Sequence, residues 1–172
     1  MRAPLRALAL SLILGVAAAT ALPARAAAQA RETSLAVVGG LYTFNEFQGD
    51  TDPILGARGT MFLTPTVGLE ADLDWIPAGN GLTVLGYQGA VVLRVPTAGS
   101  TVPFLNAGLG AITFTGNGVS DTRFAGLLGG GITTPISGGT TAFRLEVRDR
   151  MYEVASDFIN DFHLTAGLEF PF

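Results

Sequence analysis

The last thirteen residues constrain the fold more than any other stretch. From Asn160 to Phe172 the chain alternates strictly. Phe162, Leu164, Ala166, Leu168, Phe170 and Phe172 fall on one side of an extended strand, and His163, Thr165, Gly167, Glu169 and Pro171 on the other. A period of two this regular belongs to a β-strand whose two faces meet unlike surroundings. The pattern recurs upstream. Eight strand-like segments are expected at 34–44, 54–63, 66–75, 82–95, 102–115, 122–134, 140–152 and 159–172, separated by clusters of Gly, Pro, Asn, Asp and Ser. Most are about 10–14 residues long. That meets the ~9–11 residues a tilted strand needs to cross a bilayer and is roughly twice the ordinary ~5–6 of a soluble sheet.

Residues 1–28 read as a cleaved secretory signal peptide. Arg2 and Arg6 precede an apolar core from Ala7 to Ala21, and small residues then recur in the A-x-A pattern up to Ala30, so cleavage is expected near Ala28. The apolar core is shorter than the ~20 residues of a membrane-spanning helix. Residues 29–172 are expected to form one domain, with no cysteine and hence no disulfide framework or thiol chemistry. All ten basic residues are arginine; once Arg2, Arg6 and Arg25 are lost, seven remain against fourteen acids, a balance that excludes nucleic acid as a partner.

The charges gather on one parity. In the third segment Val67, Leu69, Ala71, Leu73 and Trp75 oppose Gly68, Glu70, Asp72 and Asp74; in the seventh, Phe143, Leu145, Val147 and Met151 oppose Arg144, Glu146, Arg148 and Arg150. Arg58, Arg94, His163 and Glu169 share the polar parity of their own segments, whereas Asp149 breaks the pattern near one end. An even number of strands closed into an up-and-down barrel leaves no exposed edge and sets the third and seventh segments face to face across the lumen. The expected lumen network is Arg58, Glu70, Asp72, Asp74, Arg94, Arg144, Glu146, Arg148, Arg150, His163 and Glu169. Arginine suits such a place because its fork donates in pairs and keeps its charge when buried. The turns at 64–65, 96–101 and 135–139 are then periplasmic. The loops at 45–53, 76–81, 116–121 and 153–160 are external and carry Glu46, Asp50, Asp52, Asp121, Glu153 and Asp157. Tyr42, Phe44, Trp75, Phe114 and Tyr152 form the expected outer aromatic belt, with Phe104, Phe170 and Phe172 as the inner one.

With these segments in view the chain resembles the small outer-membrane β-barrel superfamily, the eight-stranded group that includes the OmpA transmembrane domain. Pro103-Phe104-Leu105-Asn106-Ala107-Gly108-Leu109-Gly110 is similar to its fifth strand, Phe143-Arg144-Leu145-Glu146-Val147-Arg148-Asp149 to its R-x-E-x-R strand, and Gly167-Leu168-Glu169-Phe170-Pro171-Phe172 to its closing segment, from which Pro171 departs. The resemblance implies an all-β, eight-stranded antiparallel transmembrane barrel in the outer membrane of a Gram-negative-type bacterium. It implies contact with lipid and lipopolysaccharide, and insertion by the assembly machinery that reads Gly167, Leu168, Phe170 and Phe172. A monomer is expected.

An eight-stranded barrel is about filled by its own side chains, which excludes passage of large solutes. The function expected is structural or surface-interacting, without catalysis. The alternative is a lipid A-modifying enzyme, which would need the only histidine, His163, beside a serine and an acid. A secreted lipocalin-like binder would need the reverse polarity, apolar inside and polar outside. No cofactor loop or metal-ligand spacing is present; Asp50-Thr51-Asp52 reads as a solvated acidic loop rather than a cation site.

Overall fold

A computed structural model describes residues 32–45, 50–79, 81–116, 118–136, 140–154 and 157–172. The signal peptide expected at 1–28 and the loop residue Glu46 lie outside the described residues. Eight strands follow in order: β1 (Thr33–Phe44), β2 (Asp50–Phe62), β3 (Val67–Ala78), β4 (Leu82–Arg94), β5 (Val102–Gly116), β6 (Val119–Pro135), β7 (Ala142–Val154) and β8 (Asp157–Pro171). Each pairs antiparallel with the next. The circle closes where β1 meets β8, from Ser34 opposite Pro171 to Thr43 opposite Phe162. Both strand termini therefore lie at one end of the barrel, here the terminal end, and the β1–β2, β3–β4, β5–β6 and β7–β8 connections at the other, the hairpin end.

Alternation decides the faces. Leu35, Val37, Leu41, Leu73, Trp75, Leu105, Val147 and Leu164 are exposed on the outside, while Arg58, Asp74, Glu146, Arg148 and Arg150 are at most 1% exposed. In water such an arrangement leaves the apolar surface unburied and the charges desolvated. A lipid exterior reverses the account, because hydrocarbon takes the apolar face and closure of β1 on β8 gives every strand two neighbours. The polarity is the opposite of that expected for a lipocalin-like binder.

The strands at the hairpin end are longer than their sequence suggests. The loop expected at 116–121 is strand up to Gly116 and again from Val119, because Gly118 takes the left-handed turn position at φ 76°. β2 likewise starts at Asp50 rather than 54 and includes Pro53. Proline lacks an N–H, and β2 and β3 are in register only from Leu55 opposite Trp75, so that side of Pro53 has no ladder to break. β7 and β8 run to Val154 and from Asp157, which shortens the loop expected at 153–160.

Glycines on the inward parity let neighbouring strands approach closely. A Cβ at Gly40 would overlap the carbonyl oxygen of Leu164, and one at Gly167 that of Val37. Gly40→Ala should therefore destabilise the barrel by about 1–3 kcal/mol, since backbone and not a flexible side chain must yield. Gly89→Ala, with nothing within 4 Å of the new atom, should be near neutral. Urea unfolding of the two variants in lipid vesicles checks the difference.

Candidate functional site: the charged lumen

Strands β3 and β7 do face each other across the lumen, and their side chains meet there. Arg148 is the hub. Its Nη2 donates to Glu70 at 2.5 Å and its Nη1 to Asp72 at 2.9 Å, while its Nε lies 2.8 Å from Glu146. Around it, Arg144 reaches Glu70 at 2.8 Å and Glu146 at 3.0 Å, and Asp74 is held between Arg58 and Arg150, each at 2.7 Å. Neutral donors complete the carboxylates. Thr60 donates to Glu70 at 2.8 Å, Asn106 to Glu146 at 2.5 Å and Ser34 to Glu169 at 2.7 Å. Burial on this scale is tolerable only because each charge has an opposite charge beside it, although Arg58 Nε and Nη2, Arg144 Nε and Glu146 Oε2 make no hydrogen bond among the described residues.

Two apolar layers enclose this network. Towards the hairpin end Tyr42, Phe44, Ile54, Ile76, Val84, Ile112, Phe114, Ala125 and Tyr152 pack into one cluster. Arg123 lies over it, its guanidinium 4.8 Å from the Phe114 ring, and pairs with Asp121 at 2.7 Å. Towards the terminal end Phe62, Val92 and Phe104 form a smaller cluster. Beside it a cavity of about 10 Å³, lined by Thr60, Arg94, Arg144 and Glu169 among others, has room for roughly one water molecule.

This placement corrects the aromatic belts. Tyr42, Phe44, Phe114 and Tyr152 do not ring the outside but fill the lumen at the hairpin end, and Phe104 is likewise inside at 4% exposure; only Trp75, Phe170 and Phe172 of that set face outward. Even-numbered positions of β1 and β5 point inward, so parity decides against height. Arg94 is also displaced from the expected network. It sits at the terminal end, pairs with Glu32 through two bonds of 2.7 Å, and stacks 3.5 Å over the Phe62 ring. The Arg94 guanidinium holds the Glu32 carboxyl below its usual range. Arg58, Glu70, Asp72, Asp74, Arg144, Glu146, Arg148, Arg150 and Glu169 are buried together.

His163 is 1% exposed and tilts 36° against the Tyr42 ring, 5.5 Å between centroids. Among the described residues neither ring nitrogen has a hydrogen-bond partner. Asp161, not singled out from sequence, closes the hairpin side of the network. It accepts from the Tyr152 hydroxyl at 2.7 Å, the Tyr42 hydroxyl at 3.0 Å and the Asn45 amide at 2.8 Å. Its odd-numbered parity with His163 and Thr165 was the available signal. Asp149 remains on the outside between Leu128 and Phe162, where Asn160 donates to it at 2.9 Å. Among the described residues, no group of three or more His, Asp or Glu side chains is arranged to hold a metal ion.

The family model described as outer membrane protein beta-barrel domain matches residues 14–170. Solved structures similar to this chain include Neisserial surface protein A, with a TM-score of 0.64 and 9% identity over 83% of this chain and 97% of that one. The N-terminal β-barrel domain of Pseudomonas aeruginosa OprF gives 0.64 and 14% identity over 82% and 97%, and OprG of the same organism 0.52 and 14% over 84% and 97%. At these identities they share the fold. No curated protein matches the sequence.

Proposed function

Since this chain belongs to the outer membrane protein β-barrel domain family, and so is an integral protein of the outer membrane with lipid against its exterior, we propose that it serves there as a small structural or surface-interacting barrel with no catalytic step and no open pore. The observation that carries this reading is the filling of the lumen. The arginine–carboxylate network occupies the middle, and apolar side chains cover it at both ends. A solute would have to break several buried ion pairs to pass, each costing about 3–5 kcal/mol when one partner is lost.

A cleaved signal peptide at 1–28 exports the chain, and the assembly machinery reads Gly167, Leu168, Phe170 and Phe172. The exposed outward row Leu168, Phe170 and Phe172 supports that role. The terminal end is periplasmic and the hairpin end outward, and the barrel acts as a monomer in contact with lipopolysaccharide. For a lipid A-modifying enzyme the sole histidine would have to reach the lipid face. His163 lies instead in the lumen, beside Tyr42 and across from Arg148 in the ladder.

Three measurements test the proposal. Refolded protein in a planar bilayer should conduct no more than trace current, and unboiled protein should migrate faster than boiled protein in gels. Lipid A mass spectra from cells with and without expression should be identical; an altered acyl pattern overturns the non-catalytic reading, and a stable open conductance overturns the closed lumen.

A further inference from the structure

One carboxylate of the strand walls faces away from the lumen. Asp149 lies on the outward row of β7, after Phe143, Leu145 and Val147 and before Met151. It stands five positions before Val154, the last residue of the strand. At ~3.3 Å per residue and a tilt of about 40°, that sets it roughly 13 Å below the hairpin end, inside an apolar band about 25 Å tall. Leu128 and Phe162 flank it in the ladders, 56% and 49% exposed to the outside. Phe124 and Phe158, nearer the hairpin end, are also exposed, so the apolar surface continues above it. An ionisable group at that depth is costly unless something pairs with it. The protein supplies half of what is needed. Asn160 donates to Oδ2 at 2.9 Å, whereas Oδ1, turned in under its neighbours, has no hydrogen-bond partner among the described residues. The adjoining surface yields easily. A Cβ built on Gly126 would meet nothing nearer than Met151, at 3.9 Å, and the unbranched thioether of that methionine repacks at little cost.

We propose that Asp149 and Asn160 form an exterior recognition site for an acylated amino-sugar lipid, the chemical class of lipopolysaccharide, held through the amide N–H or the hydroxyl of its acyl chains. The proposal rests on the reading above that the hairpin end faces outward, which puts Asp149 in the outer leaflet. The chemistry selects the class. A carboxylate only accepts hydrogen bonds. Ester-linked phospholipid chains offer nothing but acceptors at this depth, and their charged donors sit outside the hydrocarbon. Amide-linked, hydroxylated chains carry donors down to the chain roots. A hydrogen bond to a charged acceptor is strong, and stronger still where water is scarce. Phe124, Leu128 and Phe162 then offer apolar contact to the chains themselves.

The test uses the whole barrel refolded in phosphatidylcholine vesicles. The single tryptophan, Trp75, is on β3, across the barrel from β7; Leu128→Trp with Trp75→Phe moves the fluorophore beside Asp149. The probes are two neutral, phosphate-free glucosamine lipids with brominated chains, which quench a tryptophan they touch. One carries amide-linked 3-hydroxyacyl chains, the other ester-linked chains without a hydroxyl. Beside Asp149 the first should reach half-quenching at about a tenfold lower mole fraction than the second, the contribution of one hydrogen bond to a charged group. With Trp75 as reporter the two should quench alike. Asp149→Leu puts an apolar residue on an apolar face, so that variant should fold, as its gel migration will show, and it should abolish the difference. Equal quenching beside Asp149, a difference that survives Asp149→Leu, or the same difference at Trp75 overturns the proposal. Both leaflets of the vesicles hold the probes, so this result does not depend on orientation. Orientation is read with an epitope inserted after Gly118 and probed on intact cells. An epitope reached only after permeabilisation contradicts the outward hairpin end, and with it the outer-leaflet source, whatever the vesicles show.

Discussion

Arg148→Ala should lower the stability of the barrel by about 3–5 kcal/mol, the usual cost of removing one partner from a buried ion pair. The side chain touches three carboxylates, and they are not equally provided for. Glu70 keeps Arg144 and Thr60, and Glu146 keeps Arg144 and Asn106, whereas Asp72 loses a 2.9 Å partner. The cost should therefore concentrate on Asp72, and Arg148→Ala combined with Asp72→Asn should recover part of it. Converting the hub to Arg148→Met, Glu70→Gln and Asp72→Asn together should recover more, because no unpaired charge is then enclosed. Urea unfolding in vesicles, followed by the fluorescence of the single tryptophan, Trp75, reads all of these. A loss below about 1 kcal/mol for Arg148→Ala would place that face in water, where an ion pair contributes little.

One residue earlier the same charge is predicted to act in the opposite sense. Val147 is 53% exposed on the outside, and Val147→Arg should cost about 2–4 kcal/mol if hydrocarbon surrounds it. Thr43→Arg, near the hairpin rim beside Thr51, should cost only about 0–1 kcal/mol. A neutral Val147→Arg would contradict the membrane assignment of the exterior, even if Arg148→Ala behaved as expected. The pair thus tests both walls of one strand independently.

Most of the architecture was legible because a two-faced strand writes its environment into every second residue. Strands β3, β7 and β8 carry large side chains at nearly every position, so their faces were plain. β6 was blurred for a physical reason: Gly129, Gly130 and Gly131 have no side chain to declare a face, and Leu127 points in while Leu128 points out. The aromatics failed differently. Tyr42 follows Leu41 by one residue, and period two alone sets it inside; position near a strand end misled because aromatic residues gather both in interfacial belts and in lumen plugs. Arg94 shares the inward parity of Gln88, but parity does not report depth, and its partner Glu32 precedes the first strand. Loop lengths were overestimated because Pro53 and the acids near Asp121 read as breaks, whereas β2 has no ladder to β3 at Pro53 and β6 stays paired with β5 through Asp121.

The connectivity of the ionic core has a bearing on how the protein reaches the membrane. Arg148 and its partners Asp72 and Glu70 are separated by 76 and 78 positions along the chain, so the acids Glu70, Asp72 and Asp74 of β3 have no arginine to meet until β7 arrives, except Arg58 of the neighbouring β2. A half-assembled ribbon would leave Glu70 and Asp72 without the Arg148 guanidinium, which reaches them only when distant hairpins curl around one another. The cross-lumen half of the ionic hub is consequently a product of ring closure and of no single hairpin.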